Sequence, residues 1–180
     1  MRLTLIRLEL AASTLLIGVA VGWGALRGLD LTAALRPSAS GVVLGLAGGG
    51  ALAATLPMIT APWARRVLLL RGLRRAWDAL ESGLGPGLTI PEVLVLALGS
   101  AISEELFFRG VLQTELGIPI ASILFGLLHP LGVAYVVWAS VAGAGLGALY
   151  AVSGTLVAPA AAHGLYNLVA LTYLRRRSNR

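Results

Sequence analysis

Five long apolar stretches limit this chain to a fold embedded in a membrane. Each is close to the roughly 20 residues that a helix needs to cross a bilayer, and they lie at about 8–26, 41–62, 88–110, 131–151 and 154–174. A shorter stretch at 117–129 ends at His129-Pro130, where we expect the helix to tilt or break. Only helices and closed barrels satisfy every backbone group in lipid. The sequence therefore predicts an all-α, polytopic transmembrane helix bundle of about six helices, in a single domain over residues 1–180.

The composition supports this assignment and excludes several other classes of protein. Hydrophobic residues make up 57% of the chain and charged residues 12%, against about a quarter charged in soluble domains. The chain has no cysteine, which excludes disulfides, thiolate metal sites and a cysteine nucleophile. The net charge of +6 comes from arginine alone, and in membrane proteins such a surplus marks cytoplasmic loops. We expect an integral, multi-pass protein of a bacterial cell membrane, surrounded by lipid and without a nucleic-acid partner.

Residues 64–82 differ from the apolar stretches in having a charged side and an apolar side. Such a segment is typical of a helix that lies in the headgroup plane, and we interpret it as an interfacial connector between two spans. The charged side carries Arg71, Arg74, Arg75 and Asp78, and the apolar side carries Leu69, Leu73, Trp77 and Leu80.

Small residues recur at the spacing that lets helices approach closely in lipid. The pairs Gly18/Gly22, Gly41/Gly45 and Gly143/Gly147 all have the form G-x-x-x-G. This pattern predicts a compact bundle and carries no information on function.

The arginines predict how the bundle is oriented. With six spans, Arg27, Arg36 and Arg109 fall on the outer side, and eleven arginines fall on the inner side. This asymmetry predicts that both termini are cytoplasmic and directs the Glu104 end of the third span outward. The inner set is Arg2, Arg7, Arg65, Arg66, Arg71, Arg74, Arg75, Arg175, Arg176, Arg177 and Arg180.

Three charged residues interrupt the third apolar stretch, in the run Glu104-Glu105-Leu-Phe-Phe-Arg109. A charge at the centre of a bilayer costs at least about 2.5–3.5 kcal/mol, so these residues require a compensating use. Glu105 and Arg109 are four residues apart and can pair on one helix face, whereas Glu104 points about 100° away. An unpaired carboxylate is available to take a proton from water. We predict Glu104 as a general base and Glu105–Arg109 as the pair that orients the site.

Both histidines of the chain also fall in apolar surroundings at helical spacing from another residue. His129 follows Phe125 by four, and His163 precedes Asn167 by four. Asn167 could donate to a developing oxyanion or hold a histidine tautomer. One mechanism has the glutamate and histidines activate water directly. In the other, Glu104, His129 and His163 bind a divalent metal, zinc being the expected ion, with water in the fourth position.

Other interpretations of these residues remain open at this stage. The histidines and the Glu105–Arg109 pair could serve helix packing alone, in a non-catalytic scaffold or immunity protein. A small transporter could use Glu104 or Glu105 as a proton carrier, although no paired inverted repeats occur. A serine protease could use Ser100 or Ser103 with a histidine, but it would leave the three charged residues without a role.

Together the three motifs Glu104-Glu105-x-x-x-Arg109, Phe125-x-x-x-His129 and His163-x-x-x-Asn167 resemble those of the CPBP family. This family comprises CAAX prenyl proteases of the Rce1 type and bacteriocin-processing and immunity proteins. The resemblance covers residues 88–174, a CPBP-like catalytic core, and implies an intramembrane endopeptidase, which the family's usual name describes as a metalloendopeptidase. Its substrate would be a peptide or protein, prenylated, lipidated or unmodified.

The resemblance also implies roles for individual residues of this chain. Glu104 and His129 would activate the attacking water, while His163 and Asn167 would stabilise the oxyanion. The implied catalytic set is Glu104, Glu105, Arg109, His129, His163 and Asn167.

Overall fold

The computed structural model describes residues 2–84 and 87–178, and within these ranges every regular element is helical. The all-α bundle that the sequence predicted is therefore confirmed. Arg180, which entered the arginine count, lies outside the described residues.

The N-terminal part consists of two long helices joined by a capped connection. Helix α1 (Arg2–Arg27) is followed by the short α2 (Leu31–Ala34) and by α3 (Ala39–Ala53). The side chains of Asp30 and Ser38 cap α2 and α3 by accepting hydrogen bonds from backbone N–H groups. The apolar stretch predicted at 41–62 is thus divided between α3 and the short α4 (Thr55–Thr60).

The predicted amphipathic segment is present, but it is divided into two parts. A 3₁₀ turn at Pro62–Arg66 precedes α5 (Leu68–Leu84), which buries Leu73, Ala76 and Trp77 against the bundle. On its polar side Arg74 Nε donates to Asp78 Oδ1 over 2.8 Å. Helix α5 therefore covers one end of the bundle.

The third predicted span is a helix whose last part changes geometry. Helix α6 (Ile90–Glu105) begins in a capping box between Thr89 and Glu92, and a π-helical segment, Leu106–Leu112, continues it directly. Helix α7 (Gln113–Leu127) follows. Segments of π-helix are rare and occur frequently at functional sites.

Within α7 the chain reverses at Gly117, where φ is 78° and ψ is 167°. A positive φ is readily adopted only by glycine, and Pro119 two residues later cannot donate a hydrogen bond back across this point. Glu115 before the break contacts Arg27, whereas His129 after α7 returns to the level of Glu104. The residues after Gly117 form a short returning helix that ends at Leu127, in agreement with the short stretch predicted at 117–129 and with a helix break at Pro130.

Helices α8 (Val133–Ser153) and α9 (Val157–Ser178) complete the bundle. The glycines of α3 and α8 allow close contacts: a Cβ on Gly45 would lie 2.6 Å from the Ala158 carbonyl oxygen, and one on Gly147 would lie 2.5 Å from Gln113 Oε1. Gly18 and Gly22 were expected to pack in the same way, but a Cβ on either meets no described atom within 4 Å. That G-x-x-x-G pair therefore faces open space.

Contacts at the two ends of the bundle show how the helices are directed. Arg175 Nε donates to the Leu88 carbonyl over 2.8 Å, so the last turns of α9 lie beside the start of α6. Leu5 and Ile6 pack against Leu88 in the same region, so both termini of the described chain approach one end.

The membrane prediction agrees with the described helices, with one correction to the arginine count. Four helical segments are long and apolar enough to cross a membrane, namely Leu5–Arg27, Ala39–Thr60, Ile90–Leu127 and Val133–Ser153. The six spans and the cytoplasmic termini stay predictions. Arg109 was counted on the outer side, but its side chain is only 1% exposed inside the bundle, so it does not contribute to the asymmetry.

Candidate active site

A buried ion pair forms the structural base of the site. Glu105 and Arg109 are 0% and 1% exposed, and Arg109 Nη1 donates to Glu105 Oε1 over 3.0 Å. Nη2 of the same guanidinium donates to the Gly143 carbonyl of α8 over 2.8 Å, and the guanidinium carbon lies 4.6 Å from the Phe125 ring centroid. The predicted pair is present, and it joins the π-helical segment to α7 and α8.

The same carboxylate orients His163 of α9. Glu105 Oε1 lies 2.8 Å from His163 Nδ1, and because a carboxylate accepts, this ring nitrogen carries the hydrogen. The opposite ring nitrogen, Nε2, is thereby directed toward Glu104. Glu105 thus connects Arg109 to His163, a link that helical spacing within one segment did not predict.

His129 is oriented in a similar way by the backbone. Its Nδ1 lies 2.7 Å from the Phe125 carbonyl oxygen, which can only accept, so Nδ1–H is the donor. Its Nε2 therefore faces away from α7 and into the site. The Phe125 ring packs against His129 at a centroid distance of 4.6 Å and limits rotation of the imidazole.

Glu104 lies between the two imidazoles without contacting either directly. Its Oε2 is 3.9 Å from His129 Nε2 and 4.0 Å from His163 Nε2. This oxygen is buried and has no hydrogen-bond partner among the described residues. Two polar atoms more than about 3.5 Å apart are commonly bridged by a water molecule. One water that lies about 2.8 Å from each atom would span both of these distances. The structure therefore brings Glu104 and His129, which were predicted to activate water, close to His163, which was predicted to stabilise the oxyanion.

The same distances test whether these three residues fit a metal ion as they stand. Zinc bonds to oxygen and nitrogen are about 2.0–2.1 Å, so two donors in a tetrahedral site lie about 3.3–3.4 Å apart. The observed 3.9 and 4.0 Å exceed that separation. In the described part of the chain, no group of three His, Cys, Asp or Glu side chains encloses a point at metal-binding distance. The donor types suit zinc, but their arrangement does not fit it, and a bound divalent metal stays a prediction.

Asn167 occupies a position one turn after His163 on the same face of α9. Its Nδ2 donates to Ser100 Oγ over 3.1 Å, and that hydroxyl donates to the Leu96 carbonyl over 2.7 Å. Two roles were considered for Asn167, namely donating to an oxyanion and holding a histidine tautomer. Glu105, rather than Asn167, holds the tautomer of His163. An amide nitrogen has two N–H groups, so one remains for a ligand in the site.

These polar groups lie in a largely apolar cavity of about 290 Å³. Most of its lining comes from α5, α6, α8 and α9, with further residues from α1, α3, α4 and α7. The side chains of α5 that reach it include Leu73, Trp77, Leu80 and Leu84. The cavity thus extends from Glu104 toward the end of the bundle where α5 and both termini lie. The arginine count directed the Glu104 end of the third span outward. It did not predict that the cavity would extend from Glu104 toward the opposite end of the bundle, where most of the arginines lie.

A serine nucleophile gains no support from these contacts. Ser103 Oγ lies 2.9 Å from the Gly99 carbonyl and 3.1 Å from Ser13 Oγ, and Ser100 bonds to Leu96 and Asn167. Neither serine is hydrogen-bonded to a histidine within the described ranges.

The sequence interpretation missed several residues that line the cavity. Glu9 of α1 lies there, as do the aromatic residues Tyr135, Trp138 and Tyr166. Glu9 carried a signal, because it is an acidic residue at the start of an apolar stretch. The aromatic residues carried none, since such residues are common in membrane helices.

Comparison with known proteins points to one family. The family model described as "Type II CAAX prenyl endopeptidase Rce1-like" matches residues 86–169. The "Uncharacterized protein YpbD" of Bacillus subtilis (strain 168) is 49% identical over 41 residues, which are 23% of this chain and 22% of that protein. No solved structure matches the chain. The matched segment, slightly less than half of the chain, contains all six residues of the predicted site and is similar to the family of that description.

Proposed function

We propose that this protein is an intramembrane endopeptidase of the CPBP type that hydrolyses a peptide bond with a water held by Glu104, His129 and His163. The observation that carries the proposal is the position of Glu104 Oε2, buried, unpartnered among the described residues and about equally far from Nε2 of both histidines. A purely structural carboxylate would be expected to have a direct partner, as Glu105 has through its Oε1.

A count of hydrogens suggests how the three groups divide their roles. A water has two hydrogens, whereas Glu104 and two neutral imidazoles would present three acceptors to it. The three contacts are all satisfied if one imidazole is protonated on both nitrogens and acts as a donor. His163 is suited to this because the Glu105 carboxylate accepts from its Nδ1 and stabilises an imidazolium.

The proposed reaction follows from this division. Glu104, assisted by His129, takes a proton from the water as its oxygen bonds to the peptide carbonyl carbon. His163 Nε2–H and the second N–H of Asn167 donate to the oxyanion that develops. The C–N bond then breaks, and Glu104 passes its proton to the leaving amine.

The cavity supports an apolar substrate. Most of its lining is aliphatic or aromatic, which suits an apolar peptide segment or a lipid group attached to one. The family description names CAAX prenyl endopeptidases, so a farnesylated CAAX peptide is the first substrate to test, beside an unmodified apolar peptide. The remaining partner is the lipid bilayer around the bundle.

The proposal is tested with purified protein in proteoliposomes by mass spectrometry of the peptide products. Glu104→Gln keeps the size of the side chain but removes the base, and we expect cleavage to fall by about 10²–10⁴-fold. Glu115→Gln, which alters a carboxylate paired with Arg27 outside the cavity, is the matched control and should cleave like wild type. Equal cleavage by Glu104→Gln and wild type would contradict the proposal and favour the non-catalytic scaffold.

A further inference from the structure

Glu9 is a second carboxylate in the candidate active-site cavity, and it lies outside the region that the family model matches. It belongs to α1, which runs parallel to α6, because Ser13 contacts Ser103 and Arg27 contacts Glu115. Ser13 Oγ donates to Glu9 Oε1 over 2.8 Å. This contact fixes the carboxylate on the side of α1 that faces α6.

The approach of Glu9 to α6 depends on a glycine. A Cβ on Gly99 would lie 3.4 Å from Glu9 Oε1 and 3.6 Å from Ser13 Oγ. The absence of a side chain there leaves room for the carboxylate beside the cavity. Gly99 precedes Glu104 by five residues on the same helix, which corresponds to about 7.5 Å along the helix axis.

The charge environment of Glu9 indicates what it could bind. The cavity-lining residues of the described chain include no arginine, and Glu9 forms no ion pair within the described ranges. Its described polar contact is the single hydrogen bond from Ser13. The two histidines of the cavity, His129 and His163, are directed toward Glu104. A carboxylate in a largely apolar cavity whose described lining includes no arginine is suited to receive a cationic group from a ligand.

We propose that Glu9 is a specificity residue that binds a basic side chain of the substrate about two residues from the scissile bond. This inference rests on the proposed function, since it takes Glu104 as the position of the bond that is cut. Two residues of extended peptide span about 6.6–7 Å, which matches the axial distance between the levels of Gly99 and Glu104. The basic residue lies on the side of the bond that points toward α5.

The experiment compares apolar peptides in which a lysine replaces one residue at a time, from four residues before the scissile bond to four after it. For wild type, kcat/KM should be highest with lysine two residues from the bond on one side. In Glu9→Gln we expect this preference to fall by roughly tenfold, as for loss of a charged hydrogen bond, whereas cleavage of the lysine-free peptide stays within about twofold.

Two further variants separate charge from packing. Glu9→Asp keeps the charge and should retain part of the lysine preference, and Glu9→Arg should reverse it in favour of a peptide with glutamate at the same position. Glu115→Gln is again the matched control and should keep the wild-type preference. If Glu9→Gln does not fold, the comparison of Glu9→Asp and Glu9→Arg decides the question.

The outcomes distinguish this inference from the function on which it rests. Wild type that cleaves the peptides without a lysine preference, or variants of Glu9 that keep the wild-type preference, would overturn the specificity role alone. Failure of wild type to cleave any peptide would overturn the proposed function and this inference with it.

Discussion

The buried Glu105–Arg109 pair should be essential for folding, and Arg109→Ala tests this. The substitution removes the donor to Glu105 Oε1, the donor to the Gly143 carbonyl and the group stacked on Phe125. Both charged side chains are about 1% exposed, so Glu105 loses its arginine counter-charge in the interior and keeps only the contact with His163. Breaking such a pair costs about 3–5 kcal/mol, and we expect the free energy of unfolding to fall by that amount.

The assay is reversible unfolding in mixed micelles, followed by the loss of helical circular dichroism as the denaturing detergent increases. Arg27→Ala is the matched control, because it breaks an arginine–glutamate pair whose arginine is 59% exposed. Exposed pairs contribute about 0–1 kcal/mol. The double substitution Glu105→Gln with Arg109→Met should recover part of the loss, since it leaves no buried charge. The reasoning is refuted if Arg109→Ala unfolds within about 1 kcal/mol of wild type, as Arg27→Ala should.

Three further predictions follow from the same geometry. Gly143→Ala should destabilise the protein by about 1–3 kcal/mol by overpacking, because the new Cβ would lie 3.2 Å from both Arg109 Nη2 and Phe125 Cδ1. The control is Gly145→Ala, whose new Cβ would meet no described atom within 4 Å. It should be neutral or stabilising in the same unfolding assay. Glu104→Gln should unfold no more readily than wild type, because it removes a buried carboxylate oxygen without a described partner. A decrease of more than about 2 kcal/mol in the free energy of unfolding would indicate a structural role for Glu104. Because the donor distances do not fit zinc, the rate of peptide cleavage after dialysis against a chelator should stay within about twofold of the untreated rate. If cleavage is lost and added zinc restores it, the three residues close around a metal.

The parts of the site that follow helical spacing could be predicted from the sequence. Glu105 and Arg109 are four residues apart and do pair, and His163 and Asn167 line one face of α9. The assignment of Glu104 as the carboxylate without a partner on its own helix also agrees with the structure. Such contacts depend on neighbours along one segment, which the sequence displays directly.

Features that depend on backbone geometry were less accessible. The π-helical segment Leu106–Leu112 has the same composition as an ordinary apolar helix, so no residue pattern indicated it. The reversal at Gly117 did carry a signal, since a glycine precedes Pro119 by two residues. The short apolar stretch that begins at this glycine was accordingly predicted as a separate helix.

The contacts between distant segments that orient the site had no signal in the sequence. The bond from His163 to Glu105 joins positions 58 residues apart, and the presence of Glu9 in the cavity depends on the parallel alignment of α1 and α6. Neither spacing nor composition specifies which face of one membrane helix meets another. The extension of the cavity toward α5 is unpredictable for the same reason.

The central claim is that Glu104 and His129 act on one water, and a double-mutant cycle on peptide cleavage tests it most directly. We expect Glu104→Gln and His129→Asn each to lower kcat/KM by about 10³-fold, and the double variant to be no more than about tenfold worse than either, because groups that act as a unit are non-additive. Multiplication of the two effects, to about 10⁶-fold in the double variant, would mean that the residues act independently and would contradict the account.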